Sequence, residues 1–171
     1  GRGITSAIVT AGGDSRLLGD RRGRPWNVGI RDPRRRGEVA AVLPLADVAI
    51  STSGDYERYF EAAGVRYHHI LDPKSGKPVA GVRSVTVIGP DATLTDGLST
   101  SVFVMGVERG LALIEATPGY AAVIIDAQRN EPEATTPDAI MAAARQVVQT
   151  LKAAAIVSWT SSGSTGLRAA R

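Results

Sequence analysis

The stretch 82–126 constrains the fold more than any other part of the chain. VRSVTVIGP, at 82–90, alternates in the manner of a β-strand. TDGLSTSVFVMGVERGLALIEAT then changes period: Leu98, Val102, Met105 and Val107 come near one face of a helix. Gly106 and Gly110 interrupt that helix or end it. AAVIID, at 121–126, is a second β-run. A chain that turns from strand to helix and back to strand builds a sheet that carries a helix, and with antiparallel material before it the class expected is α+β.

The residues before this stretch read as antiparallel material. ITSAIVTAGGD is a strand running into a glycine turn, and LLGDRRGRPWNVGIRDP is expected to be a hairpin with Trp26, Val28 and Ile30 alternating. A strand lies around Val48–Ile50. A Ser-Thr-Ser-Gly-Asp loop and a short helical turn are expected to follow it. RYHHIL is a strand stub and DPKSGKPV a turn. After 126 the character changes. The reading divides the chain into 1–130, a polar linker at 131–137, and an α-β-α segment at 138–171. In that segment an alanine-rich helix is capped by Asp138, AIVSW is a buried strand, and a Gly/Ser/Thr loop runs into a second helix start. No internal repeat is visible.

Composition narrows the chemistry. The 171 residues contain no cysteine, which excludes disulfides, zinc-thiolate sites and thiol catalysis. The two histidines are adjacent, so a metal here would be held mainly by oxygen, as magnesium or calcium is. Residues 1–36 carry nine arginines against Asp14, Asp20 and Asp32. No aromatic stacking series accompanies them, so solvated loops around a hairpin are expected and no nucleic-acid partner. No apolar run reaches the ~20 residues that span a bilayer. The chain starts at Gly1 without a Met, so a targeting segment is expected to lie outside it.

Three clusters carry candidate chemistry. Asp96 and Thr100 are four residues apart and share a helix face, offering two hard oxygens to one cation. The bland alternative is that Asp96 caps the helix while Thr100 bonds back to its own backbone. Ser53 and Gly54 could present a hydroxyl and a tight turn to a phosphate, and Gly12 and Gly13 allow close backbone approach. His68 and His69 point to opposite faces of a strand, so one at most meets a given site, where an imidazole could take a proton from an attacking hydroxyl. The alternative is a hydrogen-bonded structural histidine.

The order GGD, GIRDP, TSGDYER, YHHILDPKSGKPV, SVTVIGPDATLTDGLSTSVFVMG resembles the C-terminal half of the ApbE family, the FAD-dependent protein flavinyltransferases, over about residues 3–127. The resemblance implies an α+β, T-fold-type domain with a mixed, largely antiparallel sheet. It implies cleavage of the FAD pyrophosphate, transfer of FMN through a phosphoester to a Thr or Ser of a target flavoprotein, and release of AMP. Magnesium would sit on Asp96 and Thr100, with His69 at or near the reaction centre and Ile70 contacting FAD. Ser53, Gly54 and Gly13 are the further candidates for holding the flavin nucleotide. Whether His69 acts as a base or positions a phosphate stays open. The resemblance also implies the extracytoplasmic face of a bacterial envelope, with the cytoplasm as the alternative, and a homo-oligomer is possible. The family's N-terminal half, with a Lys-Gly segment contributing to the metal site, is not in this chain. Gly97 and Ser99 stand where small apolar residues are usual.

Residues 138–171 are similar to part of the pyruvate kinase C-terminal domain. Thr160, Ser162, Gly163 and Thr165 match a loop that holds a sugar phosphate in some of those enzymes. Two other readings therefore stand beside the transferase: an inactive or merely nucleotide-binding fragment, and a phosphate-sensing module on the 160–165 loop.

Overall fold

The computed structural model describes residues 3–127, with the backbone of 155–159 and 165–169. The elements are β1 (Ala7–Ala11), β2 (Asp14–Leu18), β3 (Trp26–Arg31), β4 (Val39–Leu45), β5 (Ala49–Gly54), β6 (Tyr59–Ala62), β7 (Val65–His68), β8 (Val82–Gly89), α1 (Ala92–Met105), α2 (Val107–Glu115), β9 (Ala121–Asp126), β10 (Ala155–Trp159) and β11 (Thr165–Ala169). The main sheet has the order β1-β2-β5-β8-β9-β10-β11, and β3-β4 and β6-β7 form two small sheets. Pairing is antiparallel except for β9 with β10. The fold is therefore the expected α+β, with a mixed, largely antiparallel sheet.

Strand alternation splits the core in two. On β8, Val85 and Val87 face the helices and pack with Leu98, Val102, Phe103 and Ile114. Ile88 faces the other way and, with Ile50 and Leu17, meets Ile30, Leu43 and Leu45 of the β3-β4 hairpin. Helix α1 starts with Asp91 as its cap, the carboxylate accepting from the Leu94 N–H at 2.8 Å. It stops at Gly106, whose φ of 80° an L side chain rarely adopts, and α2 begins directly after. The expected interruption is thus at Gly106, while Gly110 lies inside α2 against Val102.

Several local expectations are corrected. Residues 14–18 and 26–31 do not form a hairpin with each other. β2 pairs with β1 through the Gly12-Gly13 turn, and β3 pairs with β4. The reason lies in Asp32, whose carboxylate accepts from the N–H groups of Arg34 and Arg35 at 2.8 and 3.1 Å, closing the arginine-rich turn itself. Arg35 there pairs with Asp32 and Glu38. The Ser-Thr-Ser-Gly stretch is strand β5, not a loop, and the stretch after it forms strand β6 in place of a helical turn. Thr165–Ala169 is a strand antiparallel to β10, where a second helix start was expected. Gly166 disfavours a helix, and β10 offers an edge to pair with. The linker, the alanine-rich helix and residues 160–164 of the phosphate-loop motif lie outside the described residues. No helix among the described residues is long and apolar enough to cross a membrane.

Candidate functional site

The site is built on the seam between β5 and α1. β5 has no apolar alternation because its side chains are satisfied by tertiary partners. Ser51 bonds Thr95 at 2.9 Å, Thr52 bonds Thr86 of β8 at 2.8 Å, and Ser53 bonds Ser99 at 2.8 Å. These short hydroxyl pairs hold the helix against the strand where leucines would hold it elsewhere. They also explain why a purely polar stretch belongs to the centre of a sheet.

At the outer rim of this seam, Ser53 Oγ also meets Thr100 Oγ1 at 2.9 Å. Thr100 and Asp96 are both exposed and lie one turn apart on α1. Neither half of the bland alternative holds. Asp91 caps the helix, and the Thr100 hydroxyl bonds Ser53 rather than its own backbone. The Asp96 carboxylate makes no hydrogen bond or ion pair with the described residues. A carboxylate and a hydroxyl oxygen of this kind suit a hard cation that keeps most of its own waters. Among the described residues there is no group of three or more His, Asp or Glu side chains able to hold a metal, so the seam is a two-oxygen foothold and not a cage.

Ser53 and Gly54 are placed differently from the expectation. Ser53 turns into the seam, toward the helix. Gly54 closes no tight turn: it is extended strand, and a Cβ there would meet the Tyr56 ring at 2.6 Å. Its smallness lets the ring pack, and burial in turn pushes the Tyr56 hydroxyl above its ordinary pKa, Glu57 adding to the effect. Gly13 sits in the exposed β1–β2 turn with φ of 106°.

The two histidines meet different surroundings, but not through strand alternation as expected: β7 ends at His68 and His69 lies in the bend beyond it. His68 is 7% exposed, edge-on to Phe103 of α1 at 5.7 Å. Its Nδ1 accepts from the Ile70 N–H at 3.3 Å, so the proton of the neutral ring is on Nε2, donated to the Val79 carbonyl at 2.9 Å. His69 is exposed, and its Nδ1 lies 3.3 Å from the Arg58 carbonyl, which also accepts from the His69 N–H at 3.2 Å; with the ring proton on Nδ1, this contact is a second donation to that oxygen. The lone pair of His69 Nε2 is then its basic position. Ile70 is buried in the helix-side core, so its side chain anchors the segment.

The turn after Ile70 is stiffened by Asp72. Its carboxylate accepts from the Lys74 N–H and the Ser75 hydroxyl, both at 2.9 Å, and these bonds hold its pKa below the ordinary carboxylate value. A second carboxylate, Asp55, is missed by motif reading. It is 1% exposed and bound to Arg83 at 2.6 Å, with Arg66 at 3.8 Å, tying the end of β5 to β8 and β7. Ser99 is missed too, since it looks like a mere departure from the usual residue. No spacing signals it, because its side-chain partner Ser53 is distant in sequence.

Fold and site define an α+β domain with two exposed oxygen-bearing side chains one turn apart on a helix and an exposed imidazole just past the β6–β7 hairpin. The chain belongs to the ApbE family, which matches residues 1–125. It is 43% identical over 122 residues to an FAD:protein FMN transferase of Rhodobacter capsulatus, covering 71% of this chain and 23% of that protein. It is 46% identical over 118 residues to one from Vibrio cholerae, covering 67% of this chain and 35% of the relative. The crystal structure of the ApbE protein of Thermotoga maritima superposes with a TM-score of 0.64 at 48% identity, over 71% of this chain and 40% of that one. The chain thus spans well under half the length of these relatives.

Proposed function

We propose that the chain supplies the cation-binding and His69-bearing part of an FAD:protein FMN transferase. The observation that carries this is the Asp96–Thr100 pair, exposed on one helix turn in a chain of this family. In the reaction, a Thr or Ser hydroxyl oxygen of a target flavoprotein attacks the FMN-side phosphorus of FAD. A phosphoester forms, the P–O bond to the AMP half breaks, and AMP leaves. A magnesium ion held by Asp96 and Thr100 would neutralise charge on the pyrophosphate oxygens. The His69 Nε2 lone pair takes the proton of the acceptor hydroxyl, and donation from Nδ1 to the Arg58 carbonyl leaves that lone pair free. That tautomer favours the base over the phosphate-positioning role. His68 and Ile70, buried on either side of His69, fix where its backbone can go.

The test is turnover of FAD with magnesium, following FMN and AMP by chromatography, with Asp96→Ala alongside. Metal-dependent AMP release that disappears in Asp96→Ala is the expected result. Release that is indifferent to Asp96 overturns the reading. Absence of any turnover means the chain by itself is a scaffold and not an enzyme.

A further inference from the structure

We propose that Ser53 is a positioning residue. It commits the Thr100 hydroxyl to act as an acceptor toward a hard cation, through a one-way chain of hydroxyl protons that ends on the Asp96 carbonyl. The inference rests on the cation reading of Asp96 and Thr100 and adds how their geometry is set.

Proton counting fixes the direction. Ser99 Oγ lies 2.9 Å from the Asp96 carbonyl oxygen, Ser53 Oγ 2.8 Å from Ser99 Oγ, and Thr100 Oγ1 2.9 Å from Ser53 Oγ. Three contacts share three hydroxyl protons. A carbonyl only accepts, so the first contact uses the proton of Ser99. Ser99 must then accept from Ser53, and Ser53 must accept from Thr100. One assignment satisfies all three bonds. Its consequence is that the Thr100 proton points inward, and only lone pairs of its oxygen face outward beside Asp96. Such an oxygen attracts a cation and repels a bare phosphate oxygen.

The neighbouring link shows what is particular about this one. One turn earlier, Thr95 donates to the Ala92 carbonyl at 2.8 Å and accepts from Ser51 at 2.9 Å. There both hydroxyls are buried and the chain is sealed inside the seam. In the Ser53 chain the first donor is exposed, so the same arithmetic produces an outward acceptor. Without Ser53, the Thr100 hydroxyl regains the ordinary helical option of bonding back to a carbonyl of its own turn. Its lone pairs then lose their fixed aim.

The experiment is an NMR titration of the chain with Mn2+, reading paramagnetic broadening of the amides of 96–100, with Mg2+ as competitor. The wild-type chain should show broadening centred there and reversed by Mg2+. Ser53→Ala should weaken Mn2+ binding by about tenfold, the lower end of what removing a residue that orients a metal ligand costs. Ser53→Thr, which keeps the hydroxyl, should restore it. Thr100→Val should weaken binding comparably, and adding Ser53→Ala to it should weaken it no further. Ser51→Ala loosens the same seam without touching Thr100 and should leave binding unchanged. Wild-type affinity in Ser53→Ala, an additive double variant, or an equal loss in Ser51→Ala overturns the proposal and leaves the cation reading standing. A wild-type chain with no broadening at 96–100 overturns the cation reading, and this inference with it.

Discussion

The β5–α1 seam and the β6–β7 hairpin meet the solvent in opposite ways. In the seam, polar side chains are spent on one another, and only Asp96 and Thr100 turn outward from an otherwise closed set of hydroxyl bonds. In the hairpin, large apolar side chains are exposed alongside Glu61. Phe60 is 64% exposed and stacks on Tyr67 at 5.0 Å, while Arg66 covers Tyr59 at 4.1 Å. The seam is placed by many bonds. The hairpin and the turn after it are held to the body by a few deep anchors: His68, Ile70 and buried Asp55, which Arg66 of β7 approaches at 3.8 Å. Under the proposed function, a firmly bonded helix turn bearing Asp96 and Thr100 and a more lightly anchored arm bearing His69 are a sensible division of labour. It also predicts that damage to the shared anchors outweighs damage to either surface.

The largest effect should come from Phe103→Ala. This side chain is 0% exposed, packs with Val85 and Val102 in the helix-side core, and supplies the face on which the His68 ring rests. A phenylalanine-to-alanine truncation in a core costs about 3–5 kcal/mol, so denaturant unfolding should shift strongly. The cost should also loosen the hairpin, seen as faster amide exchange at Tyr67 and His68 than at Thr86. Equal acceleration in both places would break the distinction between the regions.

The adjacent histidines give the next sharpest contrast. His68→Ala strands the Val79 carbonyl and empties a space beside Phe103, and leaving a buried partner unmade costs about 1–3 kcal/mol. His69→Ala removes an exposed ring and should change stability by no more than about 0.5 kcal/mol. For FAD turnover, under the proposed function, the order should reverse in kind: His69→Ala removes the proposed proton acceptor while the fold is intact. Unfolding curves that rank His69 above His68 would sink the assignment of roles.

A smaller effect is expected at the start of α1. Asp91→Ala removes the cap on the Leu94 N–H and should cost about 1 kcal/mol, measured by thermal or denaturant unfolding. Asp96→Ala, further into the helix and without a bond to lose among the described residues, should cost less. The reverse would return Asp96 to the capping role that the structure gives to Asp91.

How much of this was legible follows the same division. Apolar alternation at 82–89 and helical period at 98–107 announced β8, α1 and the break at Gly106, because burial alone dictates them. Only the apolar start of β5, at Ala49 and Ile50, was legible as a strand, and its polar end was not. Ser51, Thr52 and Ser53 belong in a sheet only because Thr95, Thr86 and Ser99, distant in sequence, bond them. The pairing of β3 with β4 was hidden for a related reason: a turn of three arginines looks like solvated charge until Asp32 is seen to organise it. The shared helix face of Asp96 and Thr100 was readable from spacing, whereas the choice of a cation role for the pair came only from the family resemblance. Ser99 was not readable, since its role exists only once Ser53 is beside it.

The smallest predicted effect tests the arm through its turn. Two donors, the Lys74 N–H and the Ser75 hydroxyl, favour the charged form of Asp72 and lower its pKa in the folded chain. With the folded value below the unfolded one, the bonds contribute in full above the unfolded pKa. Their contribution is lost as pH falls through the folded one. The side chain is at the surface, so global stability should hardly register the change. The Asp72 carboxyl resonance should do so: its NMR midpoint should lie below the ordinary aspartate value and rise toward it in Ser75→Ala. Amide exchange of Gly76 and Lys77 should quicken at the acid end while that of the seam, around Thr95 and Ser99, does not. A midpoint at the ordinary value would mean the turn is not held by Asp72. The turn would then rest on its backbone bonds, the Asp72 N–H to the Lys77 carbonyl and the Val79 N–H to the Ile70 carbonyl, without help from the carboxylate.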